Sequence, residues 1–262
     1  MLSVTLVTLQ TSAFYSTDVS AIGVGARTMG MGKAFVALAN DNSTIFMNPS
    51  GLAQVEHPEI LSMHTSLLNE INYFSFAGSL PVGPGVLGIG LLQSSIDDIA
   101  LTQLDSNDRP KVTERVTYAD GLAALSYGLS IKEFLSGAFN CNIEGKVFGG
   151  VSAKYFQKGV TDLAVGNGVN ADLGLLYIPN EYWSIGLAQK NVLGAAGPIN
   201  WDTGARDELT SYTTLGLGYA INQAWKILTD YDFSFSNKRM GLFHVGTEYR
   251  LDSYLTLRCG WE

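Results

Sequence analysis

The sequence predicts an all-β protein, a transmembrane antiparallel β-barrel. Three observations point to it. A period-two alternation of apolar and polar side chains recurs along residues 71–262. The composition is poor in charge and rich in glycine. The connections between the alternating segments run short and long in turn, as in barrels that cross an outer membrane.

The alternation is clearest in 169–177, where Val169, Ala171, Leu173, Leu175 and Tyr177 alternate with Asn170, Asp172 and Gly174; Leu176 is the exception. The same pattern returns in 225–235 and 255–262. Successive strand side chains point to opposite faces, so each segment writes one apolar and one polar or small face. A strand that crosses a bilayer needs about 9–11 residues, apolar toward lipid and polar toward the lumen.

Composition agrees. Charged residues are 15% of the 262, and glycines number 29; soluble domains carry roughly 25% charge. Mean hydropathy is +0.14, yet no apolar run approaches the ~20 residues of a membrane helix. A net charge of -8 leaves no basic patch for phosphates, so nucleic acid is not an expected partner. Cys141 and Cys259 do not form a disulfide framework and are expected to be unpaired, Cys259 on the lipid face.

Taken in order, residues 1–15 read as a signal peptide, apolar and ending in small residues, although the first positive charge is Arg27. The alternative is an additional N-terminal strand. Residues 16–56 differ from all that follows. Small residues dominate 25–39, which predicts a short helix closed by Asn40 and Asp41, with a second turn from Asn42, Ser43 and Thr44. Pro49 forces Asn48 out of the α region, and Gly51 permits a tight bend.

Residues 57–262 form the predicted barrel, with eleven strands at 59–67, 71–82, 86–96, 116–130, 146–158, 168–178, 182–190, 211–221, 225–235, 240–251 and from 255 onward. Closed single-chain barrels of this kind have an even number, and an open edge in lipid leaves backbone groups unsatisfied. The expectation is therefore a barrel shortened at its C-terminus, or one closed by other contacts. Tight turns fall at 81–85, 179–181, 222–224 and 252–254, and longer polar connections at 97–115, 159–167, 191–211 and 236–240. The span 131–145 is long where a short turn is due. Tyr177 and Trp183, Tyr219 and Trp225, and Tyr249 and Tyr254 flank three tight turns, as an interfacial girdle would. A soluble sandwich would show the same alternation; strand length, low charge and the aromatic placement favour the barrel.

Other chemistry is weakly supported. Gly25 and Gly30 have the spacing of a phosphate loop, but Met31 stands where lysine is required, Lys33 comes late and Ala34 is no hydroxyl residue. His57, His64 and His244 have no metal-ligand spacing. His244, Glu248 and Arg250 share the inner face of one strand. With Asp172, Asp230, Asp232, Glu262, Lys146, Lys154, Lys226 and Arg258 they suggest a polar network in the lumen. A catalytic role, a cofactor and a metal are not expected.

The run GARTMGMGKAFVALANDNSTIFMNPSGLA resembles the N-terminal signature of FadL-type outer-membrane transporters, a superfamily of long-chain fatty acid and aromatic hydrocarbon channels with spirochaete, Bacteroidetes and PorV-like branches. Ser50 stands where the family has alanine, and Asn40 and Asp41 fall near its acidic pair. Residues 191–200 and 255–262 also resemble family segments. The resemblance implies a 14-stranded barrel with residues 16–56 folded into the lumen as a hatch. Arg27, Met29, Met31, Phe35, Asp41, Asn48, Pro49 and Gly51 are the candidate plug and gating residues. It also implies outer-membrane location and a channel for hydrophobic small molecules such as long-chain fatty acids, in contact with membrane lipid. The alternative is a non-transporting barrel that acts as a secretion accessory with a periplasmic or secretion partner, a structural protein or a surface antigen.

Overall fold

The structure is a computed structural model that describes residues 18–139, 142–234 and 241–262. The expected signal segment 1–15, Cys141 and the connection 236–240 lie outside the described residues.

The chain opens with an inner segment: a 3₁₀ turn (Val19–Ile22), helix α1 (Gly25–Gly30), helix α2 (Thr44–Met47) and a second 3₁₀ turn (Pro49–Gln54). The strands follow as β1 (Glu59–Leu67), β2 (Ile71–Val82), β3 (Gly85–Leu104), β4 (Pro110–Ser130), β5 (Lys146–Val160), β6 (Ala164–Ile178) and β7 (Trp183–Lys190). Two short strands, β8 (Ile199–Trp201) and β9 (Arg206–Asp207), lie in the connection after β7. Then come β10 (Tyr212–Ala220), β11 (Trp225–Phe233), β12 (Leu242–Arg250) and β13 (Thr256–Trp261). Helix α3 (Lys132–Phe139) sits between β4 and β5.

The thirteen strands of the described residues belong to one antiparallel sheet, in which eleven are neighbours in chain order from β1 to β13. The sheet curls around the inner segment: α1 touches both end strands, β1 and β13, while the turn Pro49–Gln54 packs on β3, β4, β5 and β6. No ladder joins β1 to β13 among the described residues, and α1 lies between them. The wall thus differs from the 14 strands of the family form.

The faces are inverted relative to a water-soluble sandwich. In β6, Leu173 and Leu175 are 48% and 46% exposed, whereas Asn170, Asp172 and Gly174 on the opposite face are buried. Leu215 and Leu217 of β10, Tyr231 of β11 and Phe243 of β12 also point outward. Apolar side chains would not cover the outside of a protein surrounded by water over so many strands, and hydrocarbon is the solvent that suits them. β1 is the exception. Its Leu61, Met63 and Leu67 pack inward with Val24 and Ile22, while Ser62, His64 and Ser66 are exposed.

Aromatic rings meet across neighbouring strands beside the short turns. Trp183 and Tyr219 lie 4.6 Å apart between ring centroids, and Trp225 and Tyr249 lie 5.9 Å apart. These tilted and edge-to-face ring contacts join strand to strand beside the turns.

Several expectations change. Residues 97–115 and 159–167 are mostly strand, because β3 and β4 extend to a turn at 105–109 and β5 and β6 to one at 161–163. Backbone ladders need no apolar side chains, so the polar ends of these hairpins read as loop. The β3–β4 ladder shifts register between Ile96 and Ile99, where Asp98 has φ +64°. The long span 131–145 holds α3. The single helix expected over 25–39 ends at Gly30, since Gly32 and Lys33 turn to φ +59° and +65°.

Candidate functional site

Residues 18–55 lie against the inner face of the wall, and the wall meets them with glycine. A Cβ on Gly90 of β3 would collide with the Phe46 ring. One on Gly128, Gly150 or Gly174 would strike the chain at 48–53, on Gly186 or Gly216 the chain at 36–37, and on Gly246 or Gly260 the chain at 31–32. Gly128 pairs with Gly150, Gly150 with Gly174, and Gly246 with Gly260. The wall is therefore thinned along a belt on which the inner backbone sits directly. At these positions the two backbones pack in direct contact.

Polar ties fasten the segment at four places. At the first, the Lys154 ammonium lies 2.9 Å from Asp18 and 3.0 Å from Asp172, and Lys190 lies 3.0 Å from the other Asp172 oxygen. Lys190 also donates to the Phe46 carbonyl, and the Asn191 amide side chain donates to Asp18 at 3.1 Å. All of these groups are buried. Two ammonium groups facing two carboxylates compensate each other, which burial of charge requires. Burial alone would raise the Asp18 carboxyl, but Lys154 and the Ser20 hydrogen bonds outweigh it and hold it well below the usual carboxylate range.

At the second, Arg27 of α1 forms a fork with Glu248 of β12 at 2.8 and 2.9 Å. It also donates to Asp41 and Asn40 at 2.9 Å each. Burial disfavours the Arg27 charge, but Glu248 and Asp41 outweigh this and raise its pKa further. Arg258 of β13 donates to the same Glu248 at 2.7 Å.

At the third, Asp230 of β11 accepts the backbone N–H groups of Phe35 and Val36 through one oxygen, at 2.7 and 2.9 Å. His244 of β12 contacts the Gly32 carbonyl at 2.9 Å and Asp232 at 3.3 Å. At the fourth, Asn48 donates to the Val36 carbonyl at 2.9 Å and to the Leu175 carbonyl of β6 at 3.2 Å, and its oxygen accepts from Ser50. Asn48 has φ -151° and ψ 98°, outside the α region, as Pro49 dictates.

A cavity of about 360 Å³ lies between the inner segment, β10–β12 and Glu262. Val36, Phe46 and Tyr212 line it together with Lys190, Asp230 and His244. Its size falls in the small-molecule range.

The other expected residues take these places. Met31 and Phe35 are fully buried and belong to an inner cluster with Leu228. Met29 is half-buried beside Gly23. Pro49 and Gly51 are buried, and Gly51 is pressed against the Ala39 carbonyl, where a Cβ has no room. Lys226 faces inward and pairs in register with Glu248. Arg250 is exposed and donates to the Gln223 carbonyl at the turn, outside the network. Lys146 is exposed at the start of β5. His244, Glu248 and Arg250 share a face without bonding one another, because each is used by the inner segment, a neighbouring strand or the turn.

Sequence reasoning missed Asp18, Lys190 and Asn191, and the Lys158–Asp120 pair at 3.0 Å. Strand parity was the available signal for Lys190, which follows Gly186 and Ala188 on the inner face of β7.

No protein-family model matches the chain, and no curated protein is recognisably similar. Solved structures do share its fold. The Pseudomonas putida toluene transporter TodX is 13% identical with a TM-score of 0.57, over 91% of this chain and 82% of that one. The Ralstonia pickettii toluene transporter TbuX is 13% identical with a TM-score of 0.58, over 91% and 85%. The likeness is one of fold alone.

Proposed function

We propose that this chain is an outer-membrane channel for the uptake of hydrophobic small molecules, with residues 21–53 as its gate. One observation carries the reading: a separate segment fills the inside of an apolar-faced wall, leaving a cavity of about 360 Å³ at its border with that wall. A plug tied by side chains can shift without any strand leaving the sheet, so passage and barrel integrity are separable. The fold shared with two proteins named as toluene transporters supports the reading. Long-chain fatty acids are the finer candidate cargo. The test is uptake of radiolabelled oleate and toluene by a host that lacks its own transporter. A gain over empty vector supports the channel; no gain with the barrel folded in the membrane counts against it.

The second reading, a non-transporting barrel that docks a partner, draws on the glycine belt. A segment seated backbone to backbone on seven glycines resists movement. Recovery of a stoichiometric protein partner, with no uptake, would favour it.

A further inference from the structure

We infer that the cavity between the inner segment and β10–β12 binds small molecules that join an apolar body to a hydrogen-bond-donating head, with Asp230 as the group that recognises the head. The inference rests on the channel reading and narrows its cargo. Asp230 is 1% exposed and lines the cavity. One of its oxygens holds the Phe35 and Val36 amides. The other, Oδ1, is buried beside Gly216 with no hydrogen-bond partner among the described residues. A buried acceptor left unmatched is costly, and a ligand that supplies the donor recovers that cost.

Several other polar groups around the cavity are engaged within the protein. Lys33 donates to Glu262 and to the Ala21 carbonyl, each at 2.9 Å. Lys190 is held by Asp172 and the Phe46 carbonyl. Both His244 nitrogens have partners, and Asp232 accepts from Thr214 at 2.5 Å. Among the lining side chains described, Asp230 Oδ1 is the buried acceptor left without a partner, and a carboxylate head beside it would face an unpaired carboxylate oxygen. Val36, Phe46 and Leu242 supply apolar contact for the body. A primary amine and a hydroxyl both meet the demand, the first adding charge to the hydrogen bond.

The experiment is equilibrium binding of four near-isosteric probes to the detergent-folded protein: benzylamine, benzyl alcohol, toluene and benzoate. We expect benzylamine, benzyl alcohol or both to bind about tenfold or more tighter than toluene, with benzoate weakest. Preference for the amine alone identifies a cationic head, and preference for both identifies any donor; either supports the inference. In Asp230→Asn the amide oxygen can keep the two backbone contacts while its NH₂ replaces Oδ1, so the donor preference disappears. Leu242→Trp fills the cavity from the wall with Asp230 intact and should abolish binding of all four. Heat-modifiable gel mobility verifies that each variant is folded. Toluene binding as tightly as the amine, unchanged in Asp230→Asn, would overturn the inference and leave a hydrophobic channel standing. Binding that survives Leu242→Trp, or no binding of any probe, also overturns it. Toluene entry into liposomes carrying the protein, measured separately, decides the channel reading.

Discussion

Arg27 in α1 and Glu248 in β12 are 221 positions apart and meet through two hydrogen bonds, at 2.8 and 2.9 Å. The fork joins the inner segment to the wall near the end of the sheet, and Arg258 of β13 donates to the same carboxylate. The Glu248 carboxylate thus holds α1, β12 and β13 together at the end of the sheet.

Arg27→Ala should loosen this end of the inner segment. Glu248 keeps Arg258, so the loss is partial, about 2 kcal/mol for a half-buried fork. The folded band should convert to the unfolded band at lower temperature in a gel-shift series. Single-channel conductance in a planar bilayer should rise. A variant identical to wild type in both measurements would show that the fork does not hold the segment.

Gly150→Val places a branched side chain against the Pro49 and Ser50 backbone, which has no flexible end to yield. Overpacking of this kind costs about 3 kcal/mol. Limited proteolysis of the folded protein should cut within 18–55 faster than in wild type. Gly137→Ala in α3 is the control, since nothing among the described residues lies within 4 Å of its Cβ position, and it should leave the cleavage rate unchanged.

Low pH should release the Asp18 tie late. The Asp18 carboxyl is held well below the usual range by Lys154 and Ser20 despite burial. Its contribution is therefore complete above the ordinary carboxylate pKa of about 4, and is lost as pH falls through the lowered value. Protease resistance of the inner segment should persist to pH 4 or slightly below in wild type. Asp18→Asn should lower it at pH 7 and flatten its response to acid.

Leu217→Arg tests the solvent of the outer face. Leu217 is 44% exposed near the middle of β10. An arginine at mid-membrane costs about 2–4 kcal/mol on a lipid-facing barrel position. Folding into lipid vesicles should fall accordingly. An unaffected yield, with the protein monomeric in plain buffer, would mean that water bathes this face.

Much of the wall was legible before any coordinates. The strands at 59–67 and 71–82 match β1 and β2 end for end, and every other expected strand has its counterpart in the sheet. Period-two patterning is local and depends only on the pleat, so each strand carries its own evidence. The inner segment was far less legible. A helix over 25–39 was reasonable on composition, but the amides of Phe35 and Val36 are satisfied by Asp230 and the Gly32 carbonyl by His244. Groups that a helix bonds internally are bonded here by residues about two hundred positions away, which no local window contains.

The sequence by itself determined where the chain crosses from face to face, which side is apolar, and that residues 16–56 are of another kind. Side-chain alternation and composition suffice for that, because they act within a few residues. Only the tertiary structure decided which carboxylate meets which cation, why the inner glycines are needed, and that Asp230 keeps one oxygen unmatched beside a cavity. Those facts depend on register between strands and on the path of one backbone over another, and both are set by contacts between residues far apart in the chain.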